Sequence, residues 1–158
     1  LIIPEQLALY DYWRGKCSAS RFPSRSDIQP AELKSTLPSL SLFDVVGSEA
    51  LQLRVRLAGT RLRDYMGVET TGRCVADFDL GDQRDYWQAA YQEVLEGARP
   101  AQGVVPMTPW KQPHVFQFWL RLPLMDAEGK ISMVLGHDAF LQSEKAHALA
   151  GRANLRIA

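Results

Sequence analysis

The sequence offers little for thiol, metal or nucleic-acid chemistry: two cysteines, three histidines and no net charge. Cys17 and Cys74 have no partner at CxxC or metal-ligand spacing, and a chain of 158 residues can build a core without a disulfide. Both therefore read as reduced thiols of a cytoplasmic protein. Eighteen basic residues balance eighteen acidic ones with no basic block, which argues against a phosphate backbone as partner. No apolar run approaches the roughly 20 residues of a membrane span. The opening Leu1-Ile2-Ile3-Pro4 lacks a charged n-region, so no secretory signal is expected. No nucleophile triad, HxxxH spacing or phosphate loop is present, and an enzyme is not expected.

What is present is apolar and aromatic: 46% hydrophobic residues, with four Trp, five Tyr and six Phe, enough for a single packed domain. Pro4 to Gly15 reads as a helix whose Leu7, Tyr10 and Trp13 form an apolar stripe. A helix this short needs something to pack on, either its own sheet or a second subunit. Asp27 is a cap for a short helix beginning near Pro30 and ending at Pro38. Leu40 to Val46 and Leu51 to Leu57 form a hairpin, the second strand alternating Leu51, Leu53, Val55 and Leu57 with Gln52, Arg54 and Arg56.

Thr60 caps a helix over 61–66 that Gly67 stops, and residues 82–96 form a longer helix with one wide apolar face. Three strands come next, over about 101–107, 114–124 and 130–141, then a weak helix over 143–150. In the middle one of these strands, Phe116, Phe118, Leu120 and Leu122 share one face, and Val115, Gln117, Trp119 and Arg121 the other. Short strands with helices grouped between the second and third give an α+β fold: an antiparallel sheet with helices over one face.

Ala58-Gly59-Thr60-Arg61-Leu62-Arg63-Asp64-Tyr65-Met66-Gly67, then Glu69-Thr70-Thr71-Gly72-Arg73 and Ala76-Asp77-Phe78, resemble the signature region of PAS domains. The leader, with Tyr12-Trp13-Arg14, Phe22-Pro23-Ser24-Arg25, Asp27-Ile28 and Leu37-Pro38, is similar to a bacterial subfamily of nearly solitary PAS domains. The resemblance implies a five-stranded sheet in the order 2-1-5-4-3 and a cavity between sheet and helices. It divides the chain into a helical leader (1–39), a PAS-like core (40–141) and a tail (142–158).

On this plan the expected ligand-binding residues are Tyr65, Phe78, Trp87, Tyr91, Phe118 and His137, all pointing between helices and sheet. The expected interface is the leader stripe of Leu7, Tyr10 and Trp13 with Arg54, Arg56 and Trp119 on the outer sheet face, and it would make a homodimer. The resemblance implies no settled cofactor. Haem is not expected, because residues 82–96 contain no His. Flavin is not expected, because Arg73 replaces the asparagine that precedes the reactive cysteine of flavin-binding PAS domains, and Val75 and Asp77 stand where the Arg and Gln of that motif are missing. The leading expectation is a sensory module of bacterial signalling that binds a small ligand or a signalling protein. A ligand-free dimerisation domain is the alternative, and a small cone-shaped enzyme using His137 and an aspartate is a third.

Overall fold

The computed structural model describes residues 1–153, so residues 154–158 of the expected tail lie outside it. Helix α1 (Pro4–Lys16) leads through three short 3-10 turns to strands β1 (Leu40–Val45) and β2 (Leu53–Ala58). Helices α2 (Thr60–Met66) and α3 (Arg84–Leu95) precede β3 (Ala101–Met107), β4 (Gln112–Met125) and β5 (Ile131–Gln142), and α4 (Ser143–Arg152) comes last. The described residues form one antiparallel sheet in the order β2-β1-β5-β4-β3.

Local chemistry explains most boundaries. Pro4 suits the first turn of α1, where its missing N–H costs nothing. Gly67 ends α2 at φ 74°, a left-handed conformation that residues with a Cβ rarely adopt. Two expectations need correction here. Gly59, not Thr60, is the N-cap of α2. Asp27 does not cap a helix at Pro30: its carboxylate accepts from the Ser24 N–H at 2.8 Å and the Ser24 hydroxyl at 2.9 Å, closing the preceding turn instead.

The sheet is buried on both faces, which decides where the site lies. Its inner face packs against α3 through Phe43, Leu53, Val55, Trp119 and Val134, which meet Trp87, Tyr91 and Val94. The other face carries Leu40, Leu42, Leu120, Leu122, Leu124 and Leu135, covered by Leu9 and Trp13 of α1 with Ile28 and Leu33. Nearer the end of the sheet, Phe118 meets Ile3 and the α4 residue Ala146. Burying each of these large side chains contributes on the order of 1.5–3 kcal/mol.

The stripe on α1 is therefore not the expected one. Gln6, Leu9 and Trp13 are the buried positions, whereas Leu7 is 47% exposed. Trp13 is satisfied within its own chain, donating Nε1–H to the Pro123 carbonyl at 2.9 Å. The Gln6 side chain donates to the Phe118 carbonyl at 2.8 Å.

Candidate functional site

The two rows of β4 face opposite ways from the expectation. Gln117, Trp119 and Arg121 look inward toward α3, and Phe118, Leu120 and Leu122 look outward beneath the leader. Alternation identifies two rows but not which core receives each. The fully apolar row goes to the leader, whose Leu9, Trp13, Ile28 and Leu33 cover it. The mixed row goes inward, where β5 supplies the polar partner.

That partner is Asp138. Arg121 and Asp138 are only 3% and 0% exposed, so their charges must be matched inside the protein. Arg121 Nη1 and Nη2 donate to the two Asp138 oxygens at 3.2 and 3.0 Å. Nη1 also donates to the Leu120 carbonyl at 3.0 Å, and Nε to the Tyr91 hydroxyl at 3.0 Å. The Gln117 amide donates to Asp138 Oδ1 at 2.7 Å.

The guanidinium lies among four rings, those of Phe43, Trp87, Tyr91 and Trp119, at 5.4–5.9 Å from their centroids. Burial disfavours its charge, but Asp138 and the Tyr91 hydroxyl outweigh burial and hold it above the ordinary arginine range. Burial pushes the Tyr91 hydroxyl up against the opposing pull of Arg121. Gly136, opposite Arg121 on β5, makes the room: a Cβ there would collide with the Ser41 hydroxyl and lie 3.0 Å from Arg121 Nη1.

Between this network and the helices is a cavity of which about 40 Å³ is open to the centres of water-sized molecules. Phe43, Val55, Leu62, Phe78, Leu80 and Trp87 form apolar walls, and Ser41, Gln117 and Arg121 form a polar floor on the sheet. Ser41 is fully buried, and its hydroxyl has no hydrogen-bond partner among the described residues.

Of the residues expected to bind a ligand, Phe78, Trp87 and Tyr91 line this cavity, and the other three do not. Phe118 lies on the opposite face with the outward row. Tyr65 is displaced by its position on α2: Leu62 and Met66 face the cavity, and Tyr65 stacks on Phe140 with ring centroids 4.4 Å apart. His137 faces the leader, in a groove with Ile3, Glu5, Arg61 and Lys145. It is buried, its Nδ1 has no partner among the described residues, and burial lowers its pKa against the opposing effects of Asp138 and Glu5. Because His137 and Asp138 are consecutive on a strand, they point to opposite faces and cannot form a base–orienter pair.

Among the expected interface residues, Trp119 is buried on the inner face and donates to the Tyr86 hydroxyl at 3.0 Å, which removes it from the outer surface. Trp13 is buried under its own leader, so it too is no surface residue. Leu7, Arg54 and Arg56 are exposed, Tyr10 is half-buried, and Arg56 pairs with Asp44 at 2.9 Å. Ser41, Gln117 and Arg121 went unrecognised as cavity residues. The available signal was Gly136, a glycine inside a strand, where another group usually approaches closely.

Among the described residues no helix is long and apolar enough to cross a membrane, and no group of three or more His, Cys, Asp or Glu could hold a metal ion.

A family model described as a PAS domain matches residues 3–138, and the curated proteins contain no match. The chain is similar in fold to the PAS domain of a protein from Colwellia psychrerythraea, at 10% identity and a TM-score of 0.53, over 71% of this chain and 96% of that one. It is similar to the LOV domain of the blue-light photoreceptor Aureochrome1 in its dark structure, at 13% identity and a TM-score of 0.56, over 85% and 98% of the two chains. A sensory box sensor histidine kinase from Vibrio cholerae gives 14% identity and a TM-score of 0.51, over 71% and 88%.

Proposed function

Since this chain belongs to the PAS domain family, we propose that it is a cytoplasmic sensory and regulatory module of bacterial signalling whose inner cavity binds a small molecule. The observation that carries this reading is the Ser41 hydroxyl: buried, without a partner among the described residues, and on the wall of a cavity whose other sides are mostly apolar. Apolar walls with a few polar groups on one side are the usual composition of a small-molecule site. The leader lies on the other face of the same strands, so a ligand that favours one arrangement of β4 and β5 can shift the position of α1. Native mass spectrometry of freshly purified protein tests the reading. A retained mass that denaturation releases supports it, and a bare chain that binds nothing from a small-metabolite library overturns it.

The residues fit a flavin poorly. Val75 rather than Cys74 lines the cavity, and the open space is far below the roughly 300–1,000 Å³ of sites for drug-sized ligands. That small volume also favours the second reading, a ligand-free interaction domain. In that case pairing of two copies uses Leu7 and Tyr10 on α1, beside Pro100 and Gln102 at the β3 edge, whereas Arg54 and Arg56 lie on β2 at the opposite edge of the sheet. Light scattering coupled to size-exclusion chromatography tests it: a dimer that Leu7→Glu dissociates supports this surface, and a monomer at tens of micromolar rules pairing out.

A further inference from the structure

We infer that the cavity takes a small uncharged molecule, apolar over most of its surface and carrying one hydrogen-bonding oxygen, rather than a carboxylate, a phosphate or an amine. The inference rests on the ligand-binding reading above and concerns the charge of what is bound.

The charges inside the protein are already matched. The cavity wall includes one cation, Arg121, and Asp138 neutralises it through two N–H···O contacts. Asp138 is anchored a second time by Gln117, so an incoming anion cannot displace it without stranding the Gln117 amide as well. The remaining lining residues are apolar, aromatic or uncharged polar. A bound carboxylate would therefore be an unmatched buried charge, which is among the most costly arrangements a protein interior can contain. An ammonium would meet the Arg121 cation with no free anion to offset it.

An uncharged oxygen meets neither penalty. Ser41 Oγ can donate to it or accept from it. Arg121 has also engaged only four of its five N–H bonds: Nε with Tyr91, Nη1 with Leu120 and Asp138, and Nη2 once with Asp138. Ser41 Oγ and Arg121 Nη1 already fill the space over Gly136, so the oxygen would sit on the cavity side of the Ser41 hydroxyl. A molecule with its oxygen at this point would rest its apolar part on Phe43, Val55, Leu62 and Phe78. The available volume restricts it to a few heavy atoms.

Three probes of four heavy atoms each separate charge from size: isopropanol, isopropylammonium and acetate. Each is titrated into ¹⁵N-labelled protein at neutral pH, with the indole N–H signals of Trp87, Trp110 and Trp119 as reporters of the cavity and that of Trp13 as a control on the opposite face. The expected result is saturable shifts of the cavity indoles with isopropanol, at least about tenfold weaker binding of both ions, and loss of most isopropanol affinity in Ser41→Ala. Equal or tighter binding of acetate or isopropylammonium overturns the inference about charge while leaving a ligand-binding cavity in place. Unchanged isopropanol affinity in a folded Ser41→Ala protein also overturns it. No saturable shift with any probe overturns both this inference and the ligand-binding reading.

Discussion

Arg121 of β4 and Asp138 of β5 form a doubly hydrogen-bonded ion pair across the strands, at 3.0 and 3.2 Å, although the register places Asp138 opposite Trp119 and Arg121 opposite Gly136. The pair is diagonal. The arginine reaches it by folding over the empty position at Gly136, which commits the glycine, the arginine and the aspartate to one another.

Removing one partner of this pair should be far worse than removing both. Arg121→Met or Asp138→Leu alone leaves a buried group unmatched and is expected to cost about 3–5 kcal/mol. The double variant Arg121→Met/Asp138→Leu should be much less destabilised than the sum of the two single changes. Urea unfolding of the four proteins gives the coupling energy directly. An additive result would mean that the two residues do not act as a pair.

Ser41→Ala separates stability from binding. The hydroxyl has no partner among the described residues, so its loss removes an unsatisfied buried group. The ligand-free variant should be as stable as the parent or more stable by up to about 1 kcal/mol. Thermal melts of ligand-free protein check this, and a marked loss of stability would reveal a bond that Ser41 makes in solution.

His137 gives the fold a dependence on pH. It faces Glu5 and Arg61 in the leader groove and adjoins Asp138, with Arg121 across the sheet, and burial lowers its pKa below the ordinary value near 6.5. The unfolded chain then takes up a proton more readily than the folded one. Stability associated with the neutral ring is fully present above about pH 6.5 and is lost as the pH falls from there toward the folded-state value. Melting temperatures between pH 7.5 and 5 should decline, and the decline should be shallower in His137→Gln. Parallel curves for the two proteins would assign the acid sensitivity to other groups.

Two substitutions on α1 test how the leader is held. Trp13→Ala removes a buried indole and its bond to Pro123 and should cost about 3–5 kcal/mol, whereas Leu7→Ala on the exposed side should stay within about 0.5 kcal/mol. Chemical denaturation of both variants at low micromolar concentration makes the comparison. A large cost at Leu7 that shrinks with dilution would show that a second copy covers that residue.

The elements themselves were legible because their signals are local. Alternation along Leu51–Arg56, the apolar face of residues 84–95 and the stop at Gly67 depend on neighbouring residues and survive into the structure, whereas Leu57, expected on the buried face, is 50% exposed where the register with β1 shifts. The orientation of β4 was not legible, because Phe118 and Trp119 are both apolar enough to be buried and both are. What decides between them is Asp138, contributed by another strand. The same reason hid Arg121, which reads as a surface residue until its partner is known. Tyr65 was lost by one position on a short helix, where a single step turns the side chain by about 100°.

The four tryptophans divide between the two faces of the sheet: Trp87, Trp110 and Trp119 on the cavity side and Trp13 alone beneath the leader. Chains retaining either the cavity-side indoles or Trp13, with phenylalanine elsewhere, would therefore give two optical clocks for one molecule. Mixed rapidly with a ligand, they would report whether the cavity closes before the leader moves, after it, or in the same step.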